Sequence, residues 1–233
     1  MKVAIMQPYF FPYIGYFQLI NTVDFFVIYD NIEYTKKGWI NRNRILVNNK
    51  DCVFTLPLKK DSDFLNVNQR ELSDNWNSDK IKLLNQIKEA YRKAPFYNEV
   101  IAIVEDTLHY EDKNLFGLIK NSLIKTLNYI GINTKIIQSS EIDFDNSLKN
   151  QDKVIAICNA LNAKSYINPI GGIELYDKEQ FNKNGTVLSF IKSKPIHYSQ
   201  FDNDFIPWLS IIDVMMFNSL EEIKQMLNQY ELV

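Results

Sequence analysis

Apolar runs of strand length alternate with apolar positions at helical spacing along the first thirty residues. Residues 3–6 form a short apolar run that Pro8 ends, because proline cannot donate to a sheet ladder. Helical spacing follows over residues 14–20, and a second apolar run over residues 25–29 ends at Asp30. The gap between the two runs is long enough for a parallel crossover, so the pattern predicts an opening βαβ unit.

The rest of the chain continues both patterns and adds a hairpin and a helical block. Residues 40–58 predict a β-hairpin, and three successive helices predict a helical block at about residues 78–131. The other predicted elements are strands at residues 67–72, 134–138, 165–168 and 187–191, helices at residues 153–161 and 174–184, and a last helix capped by Ser219. The strand at 187–191 is expected to be the last. The predicted fold class is α/β with a mainly parallel sheet, in a single domain spanning residues 1–233.

Composition and charge exclude several classes of protein. The chain has 233 residues and a formal net charge of -2, whereas a general nucleic-acid binder shows a basic excess. We expect a cytoplasmic protein without membrane insertion, because no apolar run approaches spanning length and the first residues do not resemble a signal peptide. The cysteines Cys52 and Cys158 have no zinc or disulfide spacing, and the helical spacing around Cys158 predicts a core position. No metal or organic cofactor is expected.

The loop after the first predicted strand concentrates aromatic surface between two prolines. Residues 7–13 read Gln-Pro-Tyr-Phe-Phe-Pro-Tyr and include Gln7, Tyr9 and Tyr13. In parallel sheets, ligands bind at the carboxyl ends of the strands. We therefore expect this loop and residues 30–37 to form neighbouring lips of one pocket. The alternative is that the aromatic side chains only form a hydrophobic lid over the core.

A basic segment follows Asp30 and includes Lys37, Trp39, Arg42 and Arg44. If residues 41–44 are extended, Arg42 and Arg44 lie on one face of the strand and Asn41 and Asn43 lie on the other. Paired guanidinium groups suit a phosphate or a carboxylate. The alternative is a solvated edge strand that these charges protect from pairing.

Two further strand ends carry polar or glycine residues. Ser139 and Ser140 follow the strand predicted at residues 134–138, where they either cap a turn or donate hydroxyls to a ligand. Gly171 and Gly172 follow the strand predicted at residues 165–168. Glycines there let a ligand approach the backbone closely, although they also suit an ordinary turn.

Five separated motifs occur along the chain: Gln7-Pro8-Tyr9-Phe10 with Pro12, Gly15-Tyr16-Phe17, Asn41-Arg42-Asn43-Arg44-Ile45, Gly171-Gly172 with Tyr176, and Leu209-Ser210-Ile211-Ile212-Asp213 with Phe217-Asn218. In this order they resemble the WbqC-like family of bacteria, and the resemblance runs essentially end to end. One departure is Asn168-Pro169, where the family pattern has a Ser-Gly pair. The resemblance implies a surface-polysaccharide (O-antigen, lipopolysaccharide) role, with Tyr176, Ser210 and Asp213 added to the candidate residues.

The activity that the resemblance implies is amide formation between a glycyl-like amino-acyl group and the amine of a nucleotide-linked deoxy-amino sugar. The resemblance leaves the acyl donor open, and an aminoacyl thioester on a carrier protein is one candidate. Such chemistry needs a base near the amine, for which Asp30 or Asp213 is a candidate, and donors to the oxyanion, for which Gln7, Ser139 or Tyr9 is a candidate. Arg42 and Arg44 would then bind the pyrophosphate, and aromatic rings would stack on the base.

Two other functions remain open from the sequence. The opening strand, loop and helix are similar, at the level of fold alone, to those of nucleotidylyltransferases, with Tyr16 where a catalytic histidine would stand. That similarity implies nucleotidyl or adenylyl transfer, which requires magnesium and ATP. The third hypothesis is a non-catalytic protein that binds a nucleotide sugar.

Overall fold

A six-stranded sheet and a separate two-stranded hairpin organise the protein. The computed structural model describes residues 1–201 and 204–233. The strands are β1 (Lys2–Met6), β2 (Phe25–Ile28), β3 (Arg42–Val47), β4 (Lys50–Thr55), β5 (Lys135–Gln138), β6 (Ser165–Pro169), β7 (Val187–Ser193) and β8 (Tyr230–Leu232). The helices are α1 (Ile14–Thr22), α2 (Trp76–Tyr91), α3 (Tyr97–Leu108), α4 (Leu115–Ile130), α5 (Asn150–Ala160), α6 (Lys178–Lys183), α7 (Ile211–Phe217) and α8 (Leu220–Met226).

The large sheet has the strand order β5-β2-β1-β6-β7-β8. All neighbouring pairs are parallel except β7 with β8. The pairing of β1 with β2 through α1 confirms the predicted βαβ opening. The expectation that the strand at 187–191 is the last was wrong, because β8 follows α8 and pairs antiparallel with β7. Strand β8 has only three residues, and two are exposed, so it lacks the alternation that predicts a strand.

The two faces of the sheet are covered by different helices. Val3, Ile5 and Val27 pack in one cluster with apolar side chains of α5 and α6. Ala4 and Phe26 lie in a second cluster with α1, the hairpin and the remaining helices. Because strands of a parallel sheet are buried on both faces, they appear in sequence as continuous apolar runs. This explains why the sequence predicted β1 and β2 correctly.

The hairpin and the block of α2, α3 and α4 lie between β2 and β5 in the chain, and both were predicted. The hairpin turn uses Asn48 and Asn49 at φ angles of +48° and +64°, which asparagine tolerates better than most residues. The predicted strand at residues 67–72 was wrong. A 3-10 helix spans Val67–Gln69, because Asn66 and Gln69 form a reciprocal capping box.

No helix within residues 1–201 and 204–233 combines the length and apolar character needed to cross a membrane.

Candidate functional site

The order of the parallel strands defines a crevice between β1 and β6. After β1 the chain adds β2 and β5 on one side, and then β6 and β7 on the other. In doubly wound sheets, ligands bind at the carboxyl ends of the strands at such a switch point. Here the crevice is bordered by the loop that begins at Gln7 and by the 3-10 helix Ile170–Leu175.

Buried polar side chains hold the aromatic loop after β1 in a strained conformation. Phe11 has a φ of +42°, which is unfavourable for a bulky residue. Asn43 Nδ2 donates to the carbonyls of Phe10 (3.2 Å) and Phe11 (2.7 Å), and Ser210 Oγ donates to the Phe11 carbonyl (2.7 Å). Ser210 is fully buried, so its predicted binding role would act through the loop's shape.

The loop forms one wall of a cavity of about 210 Å³. This aromatic cavity is lined by Tyr9, Pro12, Tyr13, Trp39, Asn43, Arg44 and Trp208. The rings of Tyr13 and Trp208 meet edge to face with centroids 5.8 Å apart. The ring of Tyr13 fits only because residue 15 is glycine, since a Cβ there would lie 2.3 Å from the ring. The fold therefore brings three predicted binding residues, Tyr9, Tyr13 and Trp39, together with Arg44 in the wall of one cavity.

Trp208 is a residue that sequence reasoning missed. Its side chain is 61% exposed at the rim of the aromatic cavity, and its φ is +64°. Strained backbone conformations cluster at functional sites, so we add Trp208 to the candidate residues. The sequence signal for this candidate was the tryptophan itself, two residues before Ser210. Its position depends on contacts with the hairpin that lie 164 residues away in sequence.

Arg42 and Arg44 lie on the same face of β3, as predicted, and Asn41 and Asn43 are buried on the other. Both guanidinium groups lie over the ring of Trp39, with Cζ 5.2 Å and 5.7 Å from its centroid. Their other partners differ. Arg44 pairs with the carboxylate of Asp51 at 3.1 Å and donates to the Trp208 carbonyl.

Among the residues that the structure describes, Arg42 donates only to the backbone carbonyls of Gly38 (2.8 Å) and Lys37. It lines a second cavity, of about 280 Å³, rather than the aromatic cavity. Lys37, a predicted binding residue, contacts Arg42 through its backbone carbonyl, and the side chain of Lys37 is exposed. The structure therefore separates the two arginines that the sequence assigned to one pyrophosphate.

Tyr9 connects the aromatic cavity to the crevice. Its hydroxyl donates to Gln7 Oε1 at 3.3 Å, and the hydroxyl of Tyr16 donates to the Gln7 carbonyl at 2.9 Å. Burial raises the pKa of Tyr9, so its hydroxyl remains protonated near neutral pH. Since Gln7 Oε1 accepts from Tyr9, Gln7 offers its amide N–H groups to a ligand.

Asp30 lies at the carboxyl end of β2 and is 2% exposed. Its carboxylate accepts four hydrogen bonds: from Ser139 Oγ at 2.8 Å, the Ser140 amide at 2.9 Å, Ser140 Oγ at 2.6 Å and Asn68 Nδ2 at 2.9 Å. Burial by itself raises the pKa of Asp30, but the hydrogen bonds from Ser140, Asn68 and Ser139 outweigh it and leave the pKa below its usual value. The base role of Asp30 stays a prediction. The four hydrogen bonds to its carboxylate are also those of a structural group that connects the end of β2 to neighbouring elements.

Asp213, the other candidate base, has no exposed surface. It accepts hydrogen bonds from Tyr91 (2.8 Å), Tyr198 (2.6 Å) and Gln200 (2.7 Å). Burial raises the pKa of Asp213, although these three donors act in the opposite direction. Its partners come from α2 and the tail rather than from the strand ends, so the structure does not bring Asp213 together with Asp30.

Gly172 and Tyr176 border the crevice on the side of β6. A Cβ at Gly172 would lie 2.1 Å from Asn168 Nδ2, so glycine is required for the close packing of this loop. Gly171 faces open space. The ring of Tyr176 packs against Tyr166 and Phe181, with centroids 5.8 Å and 5.9 Å apart.

A broad cleft of about 530 Å³ lies next to Tyr176, and its other walls are the start of α5 and residues 174–177. Although it is larger than the aromatic cavity, its walls are polar and largely exposed, so it excludes little water. Ligand sites are mostly apolar with a few polar groups. We therefore place the candidate site at the aromatic cavity and the adjoining crevice.

Lys153 is a second residue that the sequence did not single out. Its Nζ lies 5.2 Å from the ring centroid of Tyr29, the residue before Asp30. Burial lowers the pKa of Lys153, while the charge of Asp30 acts in the opposite direction. Within residues 1–201 and 204–233, no group of three or more His, Cys, Asp or Glu side chains is arranged to hold a metal.

Comparisons with known proteins give one relative and one family. The chain is 26% identical over 219 residues to the uncharacterized protein Rv1507c of Mycobacterium tuberculosis, with 93% of each chain covered. No solved structure matches, and the similarity to nucleotidylyltransferases is not confirmed. The sequence model of the WbqC-like protein family matches residues 7–225. These residues include the aromatic loop, the hairpin and Trp208. The chain therefore belongs to the WbqC-like protein family.

Proposed function

We propose that this protein is an N-acyltransferase. It joins an amino-acyl group, glycyl or similar, to the amine of a nucleotide-linked deoxy-amino sugar used for surface polysaccharide. The chain belongs to the WbqC-like family, and this activity is the one that the resemblance to that family implies. The observation that carries the proposal is the aromatic cavity next to the switch point of a parallel sheet.

The aromatic cavity is suited to a flat or ring-shaped group of little net charge. Tyr9, Tyr13, Trp39 and Trp208 supply four rings, and Arg44, the cation among the described residues that line the cavity, is paired with Asp51. Stacking of a base on an aromatic side chain contributes about 1–3 kcal/mol. A nucleobase or sugar ring therefore fits this cavity better than a phosphate does.

The chemistry that follows is attack of the neutral amine on the carbonyl carbon of an aminoacyl thioester. A C–N bond forms, the C–S bond breaks, and the thiolate that leaves takes up the proton lost by the amine. The developing oxyanion needs hydrogen-bond donors. The donors at this point are the amide N–H groups of Gln7, whose Oε1 accepts from the hydroxyl of Tyr9.

Mass spectrometry tests the proposal. The purified protein is incubated with nucleotide-linked amino sugars and aminoacyl thioesters, and the nucleotide sugar should gain the mass of the acyl residue. A matched sugar with a hydroxyl in place of the amine should not react. Binding without any mass gain, across the donors tried, would indicate a non-catalytic binding protein. Product release that requires ATP and magnesium would indicate nucleotidyl transfer.

A further inference from the structure

The cavity next to Arg42 contains more positive charge than its surroundings neutralise. This basic cavity is lined by Tyr34, Lys36, Asn41, Arg42, Thr55, Leu56, Pro57, Leu58 and Arg70. Three of these residues are cations. The acid paired with them is Asp63, which binds Lys36 at 2.7 Å on the exposed rim.

Arg70 is a buried cation that forms no salt bridge within the part of the chain that the structure describes, although the charge of Asp63 acts on it from a longer distance. It is 5% exposed, and its guanidinium donates to the backbone carbonyls of Ser62 (2.9 Å) and Lys59 (3.4 Å). Its Cζ lies 4.9 Å from the ring centroid of Tyr34, and its Nε has no hydrogen-bond acceptor among the described residues. Within residues 1–201 and 204–233, no carboxylate lies within 4.0 Å of the guanidinium of either Arg70 or Arg42. Buried charges in proteins are normally paired, so this arrangement points to an anion that comes from outside the chain.

The two cavities meet at Trp39. Arg42 lies over its ring from the basic cavity, and Arg44 lies over the same ring from the aromatic cavity. The two arginines are two residues apart on one strand face, a separation of roughly 7 Å. Each cavity alone is smaller than the roughly 300–1,000 Å³ of a site for a complete drug-sized ligand. One elongated ligand can therefore place a ring in the aromatic cavity and an anionic group in the basic cavity.

We infer that the basic cavity binds a diphosphate group through Lys36, Arg42 and Arg70. Guanidinium groups suit phosphate oxygens because they present several donors in a fixed plane. That this diphosphate belongs to a nucleotide sugar rests on the proposed function. The anion site itself does not. The inference corrects the sequence-based assignment of Arg44 to the same phosphate, because Arg44 lines the aromatic cavity and not the basic cavity.

Isothermal titration calorimetry with inorganic pyrophosphate tests the site. We expect Arg42→Gln to weaken pyrophosphate binding by about tenfold or more, since it removes a charge-assisted contact. Lys36→Gln should also weaken binding, and its side chain is 67% exposed, so the change cannot disturb the core. Asp63→Asn should strengthen binding, because it frees Lys36 from its acid. Structural damage would not produce such a gain.

Two variants serve as controls for charge. Arg44→Gln removes a cation from the same face of the same strand, and Lys93→Gln removes one from an exposed turn that follows α2. Lys93→Gln should leave pyrophosphate affinity unchanged. Arg44→Gln, which also leaves the charge of Asp51 unpaired, should weaken pyrophosphate binding much less than Arg42→Gln does. Absence of binding to the wild type, unchanged affinity in Arg42→Gln and Lys36→Gln, or an equal loss in Arg44→Gln would overturn the inference. Amide formation with any of these results would leave the proposed function standing, whereas pyrophosphate binding as expected without amide formation would refute only that function.

Discussion

Replacement of Asp30 by asparagine tests whether this carboxylate joins the strand ends or serves as a base. The carboxylate accepts from Ser139, Ser140 and Asn68, with both of its oxygens used. The side-chain amide of an asparagine at position 30 would keep one acceptor oxygen. Its NH₂ group would then face the donors that the second carboxylate oxygen accepts from. A serine hydroxyl can rotate to accept from it, but at least one buried donor then loses its acceptor, which costs about 1–3 kcal/mol. With the loss of charge assistance in the other bonds, we expect a total of about 2–4 kcal/mol.

For a chain of this length, that loss corresponds to a fall in Tm of roughly 4–16 °C, measurable by circular dichroism. The pKa of Asp30 is below its usual value in the folded protein, so its stabilising effect is present above the unfolded pKa of about 4 and is lost as the pH falls through the folded pKa. The difference in Tm between wild type and variant should therefore be full at pH 7 and shrink at strongly acidic pH.

Asp24→Asn is the matched control. Asp24 is exposed and lies just before β2, at the opposite end of the strand from Asp30. It accepts a hydrogen bond from the Lys2 amide, and an asparagine oxygen can accept the same bond. Its Tm should stay close to that of the wild type. If Asp30→Asn keeps the wild-type Tm but loses about 10²–10⁴ in acyl-transfer rate, the structural reasoning is refuted and Asp30 is a general base.

Three further predictions concern the aromatic cavity, the second buried acid and the thiols. Trp208→Gly should weaken nucleotide-sugar binding by about 5- to 150-fold in calorimetry without lowering the Tm, because glycine relaxes the strained φ while the stacking ring is lost; a lower Tm with unchanged affinity would contradict it. The pKa of Asp213 is raised, so the wild type should lose Tm relative to Asp213→Asn as the pH rises from about 4 through the folded pKa; a pH-independent difference would contradict it. Burial raises the pKa of Cys158 to about 12, so iodoacetamide should label Cys52 first in the native protein, as peptide mass mapping would show; faster labelling of Cys158 would contradict it.

The elements that the sequence predicted well are those whose pattern is local. Strands β1 and β2 are buried on both faces and therefore appear as apolar runs, and the alternation of Asn41 to Arg44 follows from the extended geometry of β3. The predicted strand at residues 67–72 failed because side-chain capping by Asn66 competes with the ladder.

The parts of the site that the sequence did not predict depend on distant contacts. The Ser210 amide donates to the Arg44 carbonyl and the Ile211 amide donates to the Pro12 carbonyl, and these bonds bring Trp208 to the aromatic loop. Tyr91 and Asp213 meet across 122 residues of sequence. The acid partner of Arg44 lies on the facing strand of the hairpin, so whether each arginine is neutralised could be decided only from the structure.

The most direct test of the central claim is the ratio of thiol released to amide formed when the protein, a nucleotide-linked amino sugar and an aminoacyl thioester react. Thiol is followed colorimetrically and the acylated nucleotide sugar by mass spectrometry in the same samples. We expect one thiol per amide, at a rate that Trp208→Gly lowers at limiting nucleotide sugar. Thiol release without amide, or an amide yield that does not depend on Trp208, would contradict it.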